Sequence, residues 1–144
     1  MTELRPFHPD DVKPLLGREW YGRLFQDALK SYATGPAFTL LRDGYLVGSA
    51  GIVLPYPRFG EAWAILNPYY HRPFTVHRTV KRVMWSLARE LNLRRLQMCV
   101  DTAADLRYHK WPIKLGFHQS GILEKYGPKG EDFVLYVLFP APEE

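Results

Sequence analysis

The sequence predicts an α/β fold on a mixed sheet (α+β mixed sheet), in the order β-α-α-β-β-β-α-β-α-β-β. Three observations carry that expectation. Apolar residues recur at helical spacing over 18–33 and again over 75–92. Two strand-like apolar runs flank Asp43-Gly44, a strong short-range hairpin signal. Residues 62–101 read as strand, basic loop, helix, strand, and a mixed sheet of this kind needs helices on both faces.

The elements follow in turn. Glu3 to Pro6 is a short strand, after which Asp10 or Asp11 can cap a short helix through Leu16. From Arg18 to Ala33, Tyr21, Leu24, Phe25, Ala28, Leu29 and Tyr32 form one apolar face, and Thr34-Gly35-Pro36 ends the helix. Strands over Ala37–Leu41 and Tyr45–Leu54 form the hairpin, and 55–60 turn the chain into a third strand over Glu61–Leu66. The helix from Thr75 to Asn92 buries Val76, Val80, Val83, Leu87 and Leu91. Arg95–Val100 is a strand, and Ala103–Leu115 a helix that Pro112 must kink or interrupt. Phe117–Lys125 and Asp132–Phe139 pair around Gly127-Pro128-Lys129-Gly130.

Length supports one domain over 1–140, with 141–144 as a frayed tail. No apolar run reaches the roughly 20 residues of a membrane span, and the N-terminal residues lack a signal-peptide core, so the expectation is a cytoplasmic protein. A lone cysteine excludes an internal disulfide, and the alternation of Met98, Cys99 and Val100 reads as a half-buried, inert thiol. The net charge of +4 suits anionic ligands.

The loop into the 75–92 helix reads His71-Arg72-Pro73-Phe74-Thr75-Val76-His77-Arg78. A helix start offers unpaired N–H groups and partial positive charge to a phosphate. Phosphate loops usually add glycine so that the backbone approaches the ligand closely, yet no glycine lies between Gly60 and Gly116.

The element order and three local patterns resemble the GNAT superfamily of acyl-CoA-dependent N-acyltransferases along nearly the whole chain. Leu4-Arg5-Pro6 with Asp10-Asp11 is similar to the family's first strand and helix start, and 42–51 to its central hairpin. Lys114-Leu115-Gly116-Phe117 resembles the "KLGF" ending of its fourth helix. The resemblance implies a GNAT-like fold, acetyl-CoA as co-substrate and an amine as acceptor, small molecule or protein. It places the backbone of Leu66 and Asn67 beside the pantetheine arm, and Arg72, Thr75, His77 and Arg78 near the pyrophosphate. Asp105 is counted with the cofactor-binding residues. In the family's Gln/Arg-x-x-Gly-x-Gly/Ala loop, Arg72 fills the first place, while Thr75 and His77 replace the small residues; Thr75 can instead cap the helix. Short phage-encoded GNAT-like proteins, including internal virion proteins, are similar in size and in the 72–117 pattern, which implies a virion location in place of the cytoplasm if this chain is phage-encoded; a fold does not carry its chemistry with it.

Amide formation from a thioester needs a base for the ammonium, polarisation of the carbonyl and protonation of the thiolate. Glu61 resembles the family's base; alternation sets it among Phe59, Trp63 and Ile65, against the plain reading of a solvated strand-start carboxylate. Asp101 is a helix cap in competition with a base. Tyr108 is the nearest phenol to the position of the family's acid, which Pro112 occupies here; the plain reading is a packed aromatic. No metal-ligand spacing, nucleophile elbow or P-loop is present.

One pattern stands apart from the resemblance. Taking Val76 as the centre of the buried stripe, about 100° per residue puts Trp85 opposite it, on one face with Arg78, Arg82 and Arg89. That composition predicts an interface anchor for a second copy or another macromolecule. Three readings stay open: an N-acetyltransferase, a non-catalytic GNAT-like interaction or assembly protein, and a nucleic-acid-binding module. Acetyl-CoA affinity separates the first from the second, and salt-sensitive binding to DNA or RNA marks the third.

Overall fold

A computed structural model of the chain describes residues 2–15, 30–67, 69 and 73–140. The strands are β1 (Thr2–Pro6), β2 (Ala37–Arg42), β3 (Tyr45–Tyr56), β4 (Phe59–Leu66), β5 (Arg95–Asp101), β6 (His118–Leu123) and β7 (Phe133–Leu138). They are hydrogen-bonded in the order β1-β2-β3-β4-β5-β7-β6. A 3-10 helix spans Pro9–Leu15, and the longer helices are α1 (Pro73–Glu90) and α2 (Leu106–Leu115). The described residues form two compact units, one within Met1–Leu54 and Ala62–Met84, the other within Pro55–Glu61 and Trp85–Glu144.

In the first unit β1 pairs antiparallel with β2, and β2 with β3. Asp43 and Gly44, at φ 50° and 81°, make the tight turn the sequence predicts. The β2–β3 register slips after Leu40↔Gly48, so that Leu41 pairs with Leu46. Gly48 is needed there: a Cβ on it would lie 2.5 Å from the Ile65 carbonyl oxygen. Leu40, Val47 and Val76 form the buried cluster, with Leu66 and Val80 packed on it.

The start of the 3-10 helix corrects the expected cap. His8 holds the N-cap position: its Nδ1 accepts from the Asp10 N–H at 3.1 Å, and Asp11 reaches back to the His8 N–H at 2.9 Å. Pro9 follows at the first helical position, where a missing N–H costs nothing. Asp11 also accepts from the Thr39 hydroxyl at 2.6 Å and from Arg5 at 2.9 Å, and Thr39 bonds Ser49 at 2.8 Å. The helix expected over 18–33 falls mostly outside the described residues; 30–32 are helical.

In the second unit, the loop expected over 55–60 is largely strand. A two-residue turn at Pro57-Arg58, with Arg58 at φ 69°, lets β4 begin at Phe59, and Tyr56 stacks on Phe59 at 4.9 Å. β5 pairs antiparallel with β7 from Leu96 to Asp101, and β7 with β6. Leu93, Leu96, Leu115, Phe117, Tyr136 and Val137 are buried there. α2 starts at Leu106, later than expected, because Asp101 and Asp105 organise two successive turns before it. Pro112 does not interrupt α2; it is buried within the helix, which ends at Gly116 in the left-handed conformation, φ 111°.

Trp85 corrects the expectation of an outward anchor. It is half-buried, its Nε1 donates to the Leu115 carbonyl at 3.3 Å, and its ring edge lies 3.3 Å from where a Gly116 Cβ would sit. Val76 is the wrong centre for this half of α1. Met84 and Ala88 are its buried residues, and at about 100° per residue they lie roughly 80° and 120° around from Val76, towards Trp85. Arg78, Arg82 and Arg89 remain exposed. The interaction reading therefore loses the support that Trp85 gave it outside the family resemblance.

Candidate functional site

Within the second unit β4 and β5 are parallel over three pairs: Phe59↔Arg95, Gly60↔Leu96 and Glu61↔Gln97. Paired residues share a face, so Glu61 and Gln97 emerge side by side where this pairing ends, and Arg95 and Cys99 flank Gln97 on the same side of β5. Arg95 Nε donates to Gln97 Oε1 at 3.1 Å, and Gln97 Nε2 donates to Glu61 Oε1 at 3.2 Å. The half-buried Glu61 carboxylate thus meets a neutral amide, its one hydrogen-bond partner among the described residues, while the guanidinium stands one step behind. The Cys99 thiol is half-buried, with the Tyr126 phenol among the groups that act on it. Burial and the nearby Glu61 charge push that thiol up, against the opposing pull of Tyr126, which makes it the inert thiol expected from the alternation.

Gln97 and Tyr126 escaped the sequence reading. The alternation of Arg95, Gln97, Cys99 and Asp101 along β5 was the available signal for a polar strand face. Tyr126 carries no local signal; the β6–β7 hairpin brings it back to β5.

Asp101 does not take the expected helix-capping role; it closes the turn before the helix, accepting from the Ala103 N–H at 2.9 Å, and the cap falls to Asp105. Asp105 caps α2 itself, accepting from the Arg107 N–H at 2.9 Å and from Arg107 Nε at 3.2 Å; the backbone bond first, then the side-chain bond and the charge, hold its carboxyl below the usual range against the opposing effect of desolvation. Tyr108 lies in the first turn of α2, exposed, with the Arg107 guanidinium 5.9 Å from its ring centre. His109 on the next position fixes this helix to the sheet. The Asp101 carbonyl at 3.0 Å can only accept, so Nε2 carries the proton, and Nδ1 accepts from the Tyr136 hydroxyl at 2.9 Å. Burial raises the Tyr136 phenol.

The first unit holds the end of β4 and the start of α1. Leu66 belongs to the rim of the apolar cluster. Asn67 is strongly engaged: its N–H donates to the Val47 carbonyl at 2.8 Å, its amide nitrogen to the Leu46 carbonyl at 2.8 Å, and its Oδ1 accepts from the Tyr69 N–H at 3.0 Å. α1 begins two residues before the expected start, at Pro73, so Thr75 is the third helical residue and not the cap. Its N–H and that of Phe74 belong to the group that a helix start leaves without intrahelical partners. His77 is half-buried and Arg78 exposed, whereas Arg72, like His71, lies outside the described residues. Among the described residues no group of three histidine, cysteine or acidic side chains could hold a metal. No described helix is long and apolar enough to cross a membrane.

No protein-family model matches the sequence, and no curated protein matches it. Solved structures do match the fold. The ribosomal-protein-S18-alanine N-acetyltransferase of Escherichia coli is 17% identical with a TM-score of 0.72, over 100% of this chain and 97% of that one. A GNAT-family acetyltransferase of Streptococcus pneumoniae is 17% identical with a TM-score of 0.70, over 96% and 99%. A putative acetyltransferase of Salmonella typhimurium, solved with its cofactor acetyl-CoA, is 14% identical with a TM-score of 0.70, over 99% and 95%. The fold is that of the GNAT acetyltransferases, as the element order and the hairpin and "KLGF" patterns imply.

Proposed function

We propose that this protein transfers an acetyl group from acetyl-CoA to an amine, with Glu61 as the base. The carrying observation is the setting of Glu61: a half-buried carboxylate at the end of the β4–β5 pairing, held by one neutral hydrogen bond from Gln97. A base must be ordered yet keep a lone pair for the incoming proton. A direct ion pair would stabilise the carboxylate and weaken it as a base; a glutamine orients it at smaller cost. The likeness of the fold to acetyltransferase structures supports this class of reaction, and acetyl-CoA is the donor this reading assigns.

For the donor's phosphates the reading uses the first turn of α1, where the Phe74 and Thr75 N–H groups are joined by the charge of Arg78, with His77 adding charge when protonated; Arg72, just before it in the sequence, is the candidate that the resemblance implies. Without loop glycines the backbone stays farther from the phosphates, so binding is weak. Calorimetric titration with acetyl-CoA, followed by assay of transfer to a panel of primary amines, tests the proposal. Arg72→Ala and Arg78→Ala are each expected to weaken binding by about 1–2 kcal/mol, the scale of one charge-assisted hydrogen bond. Absence of binding at millimolar acetyl-CoA overturns the reading.

A further inference from the structure

We infer that the end of the second unit where β4 and β5 begin is a binding surface for single-stranded nucleic acid, with Arg58, Arg89 and Arg94 on the phosphates and Tyr56 under a base. This inference does not depend on acetyl transfer. The three arginines come from separate segments and are tied together by hydrogen bonds. Arg58 Nε donates to the Asn92 carbonyl at 3.0 Å, the Asn92 N–H donates to the Arg89 carbonyl at 3.0 Å, and the Arg94 N–H donates to the Arg58 carbonyl at 2.8 Å. Between them the Leu93 N–H donates to the Ala88 carbonyl at 2.9 Å, and both of those residues are fully buried, so the arginines stand on an ordered base.

Positive charge at the C-terminal end of a helix is favourable in itself, and the Arg58–Asn92 bond is of that kind. It uses one of five guanidinium donors and leaves the rest. Arg89 and Arg94 are exposed, and no carboxylate pairs with any of the three among the described residues; Glu90, beside Arg89 in the sequence, is exposed and bridged to none of them. Arg5 and Arg107, by contrast, are bridged to Asp11 and Asp105 at 2.9 and 3.2 Å. Three uncompensated charges on two joined turns repel one another, and a chain of phosphates relieves that repulsion.

Tyr56 decides between polyanions. It is 61% exposed and stacks on Phe59 with ring centres 4.9 Å and planes 30° apart, so one face of the phenol is held and the other is open to a ligand. Pro57 alone separates it from Arg58. An aromatic face beside guanidiniums matches the alternation of base and phosphate along a single strand. An acidic peptide would use the charges and leave the ring idle. A membrane surface or an apolar protein interface would need more exposed apolar surface, and Tyr56 is the one large exposed apolar side chain of this cluster.

The test is fluorescence anisotropy of a labelled oligouridylate RNA of about 12 nucleotides, titrated with the full chain at several salt concentrations. Binding is expected at low salt, its log affinity falling with log salt at a slope of about −2, the value for three phosphates on a single strand. Arg89→Ala and Arg94→Ala are each expected to weaken binding and to make that slope shallower by about 0.7. Tyr56→Ala is expected to weaken binding about tenfold with the slope unchanged, and Tyr56→Phe to bind as wild type does. Arg107→Ala, whose charge is already paired with Asp105, leaves both quantities at their wild-type values. Melting curves check that each variant is folded. A DNA oligomer of the same length distinguishes the sources: tighter binding of RNA points to its 2′-hydroxyls, and equal binding assigns recognition to backbone and base alone. No binding at low salt, or a wild-type slope in both arginine variants, overturns the inference. So does full-strength binding in Tyr56→Ala, which would leave a general polyanion surface, or polyglutamate matching RNA as a competitor, which would assign the surface to acidic proteins.

Discussion

Asp11 in the first unit and Glu61 in the second are both partly buried carboxylates, and their surroundings could hardly differ more. Burial alone would raise Asp11; the Thr39 hydroxyl, the His8 N–H and the Arg5 charge outweigh it and hold the carboxyl below its usual range. Three of its roughly four lone-pair positions are taken. Glu61 meets one neutral donor, Gln97, and keeps the rest of its lone pairs. A saturated carboxylate fastens a fold, whereas an undersaturated one can move a proton.

The contrast breaks most sharply at Glu61 if it is wrong. Glu61→Gln is expected to lower turnover about 10²–10⁴-fold near neutral pH, with a smaller deficit at high pH where the amine is already free. Its melting temperature should stay near wild type, since one exchangeable hydrogen bond is altered. A pH–rate profile identical to wild type would remove Glu61 from the chemistry.

On the stability side, Trp85→Ala comes next. Losing a half-buried indole and its bond to Leu115 should cost about 2–4 kcal/mol, read from denaturant melts at several protein concentrations. The loss should not vary with concentration, because the cover belongs to the same chain. A concentration-dependent midpoint in wild type alone restores the interface anchor.

Thr39→Val tests the saturated network. The isosteric change strips a hydroxyl shared by Asp11 and Ser49 in a fully buried place, at about 1–3 kcal/mol. Activity per folded molecule should be unaffected; a large kcat loss at full stability would show that the first unit's network also serves the chemistry.

The smallest effect is in pH. A group whose folded pKa is depressed binds fewer protons when folded, so Asp11's contribution is complete above its unfolded value, near 3.9, and is lost as pH falls from there through its own lower value. Asp11→Asn should flatten the acid side of the stability profile while leaving its slope at neutral pH alone. Equal acid slopes in the two proteins, by melting at pH 2–6, would mean that Asp11 is not specially held.

The sequence by itself determined the elements and their order. Helical spacing found α1, Asp43-Gly44 found the first hairpin, and Glu61 was visible as a carboxylate in an apolar strand, because these signals lie within a few residues of one another. Boundaries moved where local chemistry competed: His8 displaced Asp10 and Asp11 as the cap, and two residues at Pro57-Arg58 sufficed for a turn. Only tertiary structure decided that Trp85 meets Leu115, that Gln97 stands beside Glu61, and that the Tyr126 phenol acts on Cys99. Those partners are separated by tens of residues, and no local periodicity encodes them. They come from the register of parallel strands, from the turning of a helix's buried face along its length, and from a hairpin folding back on the sheet.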